Sequence, residues 1–116
     1  MKQAVETAVA YYTAFGNKKI EEVEQYLHPT LIFTDPQEKV EGKENVLKAA
    51  QSFMKVFKGL TIRSKFWSEE QVVIVYDLEF PNMEKALRAA SMLSFKKGLI
   101  SKIELIYDMG FFQRGS

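Results

Sequence analysis

A chain of 116 residues, 47% hydrophobic and 27% charged, fits one folded domain with its own core, and this balance excludes a disordered chain. Its apolar runs, such as Val72 to Val75, are far shorter than the ~20 residues that span a bilayer, so no membrane partner is expected. Sixteen basic side chains interleave with fifteen acidic ones and cysteine is absent, which leaves no basic patch for nucleic acid and excludes disulfides and thiolate metal sites.

The first element reads as a helix over about residues 3–15. Ala4, Ala8, Tyr11 and Phe15 recur on one face, flanked by Val5 and Tyr12, and Gly16-Asn17 ends it. A second helix is expected from Lys18 to Leu27, with Ile20, Val23, Tyr26 and Leu27 on one side. His28-Pro29 should stop it, because the residue before a proline is pushed out of helical geometry. His28 is the only histidine, so no multi-histidine metal site or histidine-based triad can be assembled. Its position suits a helix C-terminal cap better than a catalyst.

An apolar strand, Leu31-Ile32-Phe33-Thr34, then runs into Asp35-Pro36. Alternation puts the Asp35 carboxylate on the side of Leu31 and Phe33. Two readings stand side by side: a base beside apolar surface, or a turn-forming Asp-Pro whose side chain bonds nearby backbone. Gly42 opens a third helix to Phe57, with Val46, Ala50, Phe53 and Phe57 in one row and Leu47 and Met54 beside it.

After Gly59 the apolar period changes from 3.6 to 2. Strands are expected at Leu60–Trp67, Val72–Phe80, Leu87–Phe95 and Leu99–Tyr107. Links as short as Lys96-Lys97-Gly98 imply an antiparallel meander, since a parallel return needs a long crossover. Helices followed by such a meander give an α+β fold, with three helices packed on one face of the sheet. That face should carry Leu60, Ile62, Phe66, Ile74, Tyr76, Leu78, Leu93, Leu99 and Ile103. The opposite face mixes Val73, Val75, Ala90, Met92 and Ile106 with charges, and Asp77, Arg88 and Asp108 there read as cross-strand ion pairing. An apolar patch on a sheet face points to association, and a homodimer through the sheet is expected.

In this order and spacing the chain resembles the nuclear transport factor 2-like superfamily, in its SnoaL-like polyketide cyclase branch. The resemblance rests on the aromatic end of the first helix, Leu27-His28-Pro29, Phe33-Thr34-Asp35-Pro36, Gly42-Lys43-Glu44-Asn45-Val46, the meander, and the closing Ile106 to Arg114. It covers nearly the whole chain and implies a curved sheet that closes with the helices into a cone around an apolar pocket, commonly in a homodimer. Ketosteroid isomerase is a relative whose site maps by position. Tyr11 falls on its oxyanion tyrosine and Asp35 on its general base; such a pair removes a proton beside a carbonyl and stabilises the enolate. Two positions depart: Ser91 stands where that enzyme keeps a neutral carboxylic acid, and Ala50 where it keeps a supporting tyrosine.

The whole chain, residues 1–116, is therefore read as one domain for a small apolar molecule. Its pocket would be lined by Tyr11, Phe33, Phe53, Tyr76 and Leu93, with Asp35 and Ser91 as polar groups. If it is an enzyme, the resemblance implies a cofactor-free isomerase, cyclase or hydratase with Asp35 and Tyr11 as catalytic groups. The alternative is a non-catalytic dimeric module whose pocket residues fill the core. No cofactor or metal is expected. No basic segment precedes an apolar stretch at the N-terminus, so a cytoplasmic location is the expectation.

Overall fold

The structure is a computed structural model that describes residues 2–114. Helix α1 (Lys2–Gly16) buries Val5, Ala8, Tyr11, Tyr12 and Phe15 along its apolar stripe. It ends in a Schellman arrangement: the Lys18 and Lys19 N–H groups donate to the Phe15 and Ala14 carbonyls, each at 3.0 Å. Lys18 holds the left-handed position at φ 61°, where glycine is usual. Its ammonium group is tied down, donating to the Phe57 carbonyl at 2.5 Å and lying 4.7 Å above the Phe57 ring.

Helix α2 (Ile20–Glu24) is shorter than its apolar spacing suggests. The Tyr26 carbonyl already accepts the Ile100 N–H at 2.8 Å, and Leu27 pairs beside Ile100. Sheet pairing thus wins over helical propensity, and strand β1 (Leu27–Thr34) begins where the helix was expected to end. Pro29 sits at a register irregularity between Leu27 and Ile32, where its missing N–H breaks no ladder bond. His28 therefore caps no helix; its Nδ1 accepts the Thr30 N–H at 3.1 Å.

A three-residue strand, β2 (Lys39–Glu41), pairs back on β1 and has no counterpart in the apolar periodicity. Helix α3 (Lys43–Met54) is followed by a turn that brings Phe57 into the core. Strands β3 (Gly59–Trp67), β4 (Gln71–Glu79), β5 (Leu87–Lys96) and β6 (Leu99–Tyr107) form the meander, and a short helix α4 (Phe111–Arg114) closes the described chain. The six strands make one sheet in the order β2-β1-β6-β5-β4-β3. It is mixed rather than wholly antiparallel, because β1 runs parallel to β6 while the other pairs are antiparallel. The intervening α3 and strands β3 to β5 supply the long crossover that a parallel pair requires.

Two register shifts alter the expected faces. The one between Ile62 and Ser64 sets Phe66 opposite Val73 and Trp67 opposite Val72. Phe66 therefore leaves the core face and stands 58% exposed on the outer side. The second, between Ser94 and Phe95, sets Ile100 rather than Leu99 into the core. Such bulges bend and twist the strands that carry them, and the sheet curves around α1 and α3. Helix α1 lies against β3 and β4, and α3 against β1. Among the described residues no helix is long and apolar enough to cross a membrane.

Candidate functional site

Between the concave sheet face and the helices lies a cavity of about 460 Å³. Helix α1 supplies Tyr11, Tyr12 and Phe15 to its wall, and α3 supplies Ala50 and Phe53. The sheet supplies Phe33, Tyr76, Ala89, Leu105 and Tyr107, and Phe112 reaches it from α4. Aromatic contacts make this wall continuous: Phe15 meets Phe53 at 6.2 Å, Phe53 meets Phe80 at 6.0 Å, and Phe80 meets Phe112 edge-on at 5.0 Å. Phe112 and Val56 are half exposed, and Gln37 and Glu38 in the turn after β1 are exposed, so these residues form the mouth.

Tyr11 is 3% exposed and packs edge-on against Tyr12 at 4.8 Å. Among the described residues its hydroxyl makes no hydrogen bond, yet it is not a sealed, unsatisfied group. The phenol oxygen therefore opens into the cavity. Burial, with the neighbouring Tyr76, pushes its pKa well above the ordinary tyrosine value.

Asp35 also lines the cavity. Its Oδ1 accepts the N–H groups of Gln37 and Glu38 at 2.8 and 2.9 Å, and its own N–H donates to the Glu38 carbonyl at 3.0 Å. The turn-forming arrangement is therefore present, on the same side chain that faces the cavity. Oδ2 makes no hydrogen bond or ion pair among the described residues.

The cavity thus brings together Tyr11, Phe33, Asp35, Phe53 and Tyr76, and leaves out two residues placed there from the sequence. Leu93 is wholly buried in the sheet core and is not part of the wall. Ser91 is likewise 0% exposed: its Oγ accepts the Tyr12 hydroxyl at 2.6 Å and meets the Tyr76 hydroxyl at 2.9 Å. Alternation told the face of these two residues correctly, but both lie beneath packed side chains, Ser91 under Tyr12 of α1. Ser91 ties the helix to the sheet behind the cavity. Burial raises the pKa of both Tyr12 and Tyr76, with the Ser91 hydrogen bond working against it in each.

Tyr12, Gln37, Glu38 and Tyr107 are wall residues that were not singled out as site residues. Tyr12 carried a signal, since an apolar helical stripe is wide enough to bury two adjacent tyrosines. Glu38 carried none, because nothing periodic marks a turn residue. Tyr107 has its pKa raised first by burial, then by the charges of Asp35 and Glu38, and all three residues line the cavity. On the outer face Asp77 pairs with Arg88 and, at 3.7 Å, with Arg63, the cross-strand pairing expected there. Asp108 lies beyond the end of β6, and its Oδ1 accepts the Gly110 N–H at 2.9 Å. Among the described residues no cluster of His, Asp and Glu could hold a metal ion.

A family model described as the SnoaL-like domain matches residues 8–103. No curated protein matches the chain. Among solved structures, a protein from Kribbella flavida superposes with a TM-score of 0.88 at 20% identity, covering 98% of this chain and 93% of that one. A steroid delta-isomerase from Pseudomonas aeruginosa gives 0.79 at 19% identity, covering 97% and 85%. An LEH-like epoxide hydrolase from M. tuberculosis gives 0.80 at 13% identity, covering 92% and 84%. At these identities the likeness shows a shared fold, and one fold that serves an isomerase and an epoxide hydrolase does not fix a reaction.

Proposed function

The chain belongs to the SnoaL-like domain family, and on that premise we propose that its cavity binds a small, largely apolar molecule. The observation that carries this reading is the Tyr11 hydroxyl, buried, without a hydrogen-bond partner among the described residues and open to the cavity. A tyrosine that only filled the core would be expected to tie its hydroxyl to a neighbour, as Tyr12 and Tyr76 do through Ser91. The volume of about 460 Å³ also lies inside the range of roughly 300–1,000 Å³ found for small-molecule sites.

The test is titration with an aromatic ketone such as acetonaphthone, followed by the NMR shifts of wall residues. Saturable binding is expected. Tyr11→Phe should weaken it about three- to tenfold, the net worth of one hydrogen bond. The same substitution should leave stability within about 0.5 kcal/mol, because it breaks no hydrogen bond among the described residues. No saturable shift, or an affinity indifferent to Tyr11→Phe, ends this reading.

Catalysis is a second reading, favoured by Asp35, whose side chain lines the same cavity as Tyr11 and whose Oδ2 has no partner among the described residues. A carboxylate that takes a proton beside a carbonyl, with a phenol donating to the enolate oxygen, needs no cofactor. Its test uses the same probe. The protein should speed exchange of the ketone's α-protons with deuterated water, and no acceleration at saturation would leave a binding module.

The outer sheet face supports assembly as a homodimer. Ile106, Ala90 and Val75 form one cross-strand row, and Met92, Val73 and Phe66 form the next. Phe66 and Ile106 are more than half exposed in the single chain. Glu104, opposite Met92, is paired with Lys102 at 3.4 Å. Val75→Asp or Met92→Lys should yield monomer by light scattering, since a buried unpaired charge costs several kcal/mol. A wild-type monomer at high micromolar concentration, or a dimer tolerant of both changes, would move the contact elsewhere.

A further inference from the structure

We propose that the natural ligand of this cavity is a cation: an apolar body inside, and an ammonium group at the mouth between Asp35 and Glu38. The proposal rests on the reading of the cavity as a ligand site and names the class of ligand. It does not depend on proton-transfer chemistry.

Among the described residues the wall contains the two carboxylates of Asp35 and Glu38 and no Lys, Arg or His side chain. Among the described residues neither carboxylate is in an ion pair. Both sit on one turn, closed by the Asp35 N–H to Glu38 carbonyl bond at 3.0 Å. Two backbone N–H groups occupy Asp35 Oδ1, which leaves Oδ2 and the Glu38 side chain to face a ligand. An anionic molecule would meet two uncompensated like charges beside apolar surface that screens them poorly. A cation meets those charges and aromatic rings as well. Phe33, Tyr107 and Phe112 all line the same cavity, and ring faces attract ammonium groups.

A pair of carboxylates does not by itself define a site. The second observation is Tyr11, 3% exposed, without a hydrogen-bond partner among the described residues, and open to the same cavity. A cavity that offers a buried hydroxyl and an anionic mouth fits a molecule polar at both ends, with the positive end outward.

The experiment compares three probes of one shape on the full chain: octylammonium, octanol and octanoate, each below its micelle concentration, by calorimetry and NMR shifts. Octylammonium should bind at least about tenfold more tightly than octanol, and octanoate more weakly than octanol. The amine preference should shrink with added salt. Asp35→Asn keeps the oxygen that the turn needs, so Asp35→Asn with Glu38→Gln should bring amine and alcohol within about twofold of each other. Glu38→Gln alone, at an exposed side chain outside the turn's hydrogen bonds, should already reduce the preference several-fold. If octanol binds as tightly as the amine, the cavity stays a ligand site and the cation assignment falls. An amine preference that survives both substitutions also overturns it, because the attraction would then come from elsewhere. If none of the three binds while acetonaphthone does, the cation assignment alone falls; if acetonaphthone fails as well, this proposal and the ligand-site reading fall together.

Discussion

Raising the pH above about 10 should unfold the protein in one cooperative step that coincides with ionisation of Tyr11, Tyr12 and Tyr76. All three are buried, and burial pushes each pKa above the ordinary tyrosine value of 10.0. The folded protein therefore keeps these protons at a pH where the unfolded chain has released them. With fewer protons bound in the unfolded state, stability falls as pH rises. The stabilisation is fully present below pH ~10 and is lost upward from there toward the raised folded values. Each group contributes a slope of at most about 1.4 kcal/mol per pH unit, so three give at most roughly 4. One pH unit can thus remove a large part of the 5–15 kcal/mol typical of a domain. Tyrosinate absorbance and circular dichroism should change together over a narrow interval. Ionisation of all three near pH 10 with the dichroism unchanged would show that burial of the rings does not hold these protons.

Much of this fold is written in periodicity. The apolar stripes of α1 and α3 and the alternation of β4, β5 and β6 are strong local signals, and each element forms close to where they place it. What the pattern did not show depends on pairing between distant segments. Leu27 belongs to a strand because Ile100 stands beside it, and a helical spacing around Tyr26 carries no trace of that. The bulge after Ile62 shifts which of two adjacent aromatic residues, Phe66 or Trp67, lies over the outer sheet face. Both choices satisfy the local pattern, so only the register with β4 decides. Strand β2 is three residues long, too short for any alternation to be read.

The site follows the same rule. Phe33, Asp35, Phe53, Tyr76 and Tyr11 could be assigned to one concavity because each lies on the apolar face of a well-marked element. Ser91 and Leu93 share that face but lie deeper, since face is a local property and depth depends on what packs above. The mouth was least legible. Gln37 and Glu38 sit in a turn whose geometry comes from the Asp35 carboxylate, and Phe112 reaches the wall only because α4 folds back on Phe80.

Ser91→Ala should destabilise the protein more than removing the whole hydroxyl cluster does. The Ser91 oxygen lies between two buried phenols, accepting from Tyr12 at 2.6 Å and meeting Tyr76 at 2.9 Å. Alanine takes away one small hydroxyl and strands either one or both of the larger ones. If Tyr12 and Tyr76 turn toward each other, one O–H still lacks an acceptor. Each stranded group costs roughly 1–3 kcal/mol, so the substitution should cost about 2–4 kcal/mol in urea unfolding. Tyr12→Phe and Tyr76→Phe made together with Ser91→Ala remove every polar atom of the cluster and leave apolar groups of nearly the same shape. That triple variant should lie within about 1–2 kcal/mol of wild type, because an absent polar pair costs far less than a broken one. Tyr12→Phe alone still leaves Ser91 its contact with Tyr76, and should fall between the two. The signature is therefore a strong non-additivity, with the substitutions on the tyrosines rescuing the one on the serine. Costs that simply add from one variant to the next would mean that Ser91 does not join the two tyrosines. The cavity's back wall would then be held by ring packing alone, with Tyr12 and Tyr76 at 4.7 Å between centroids.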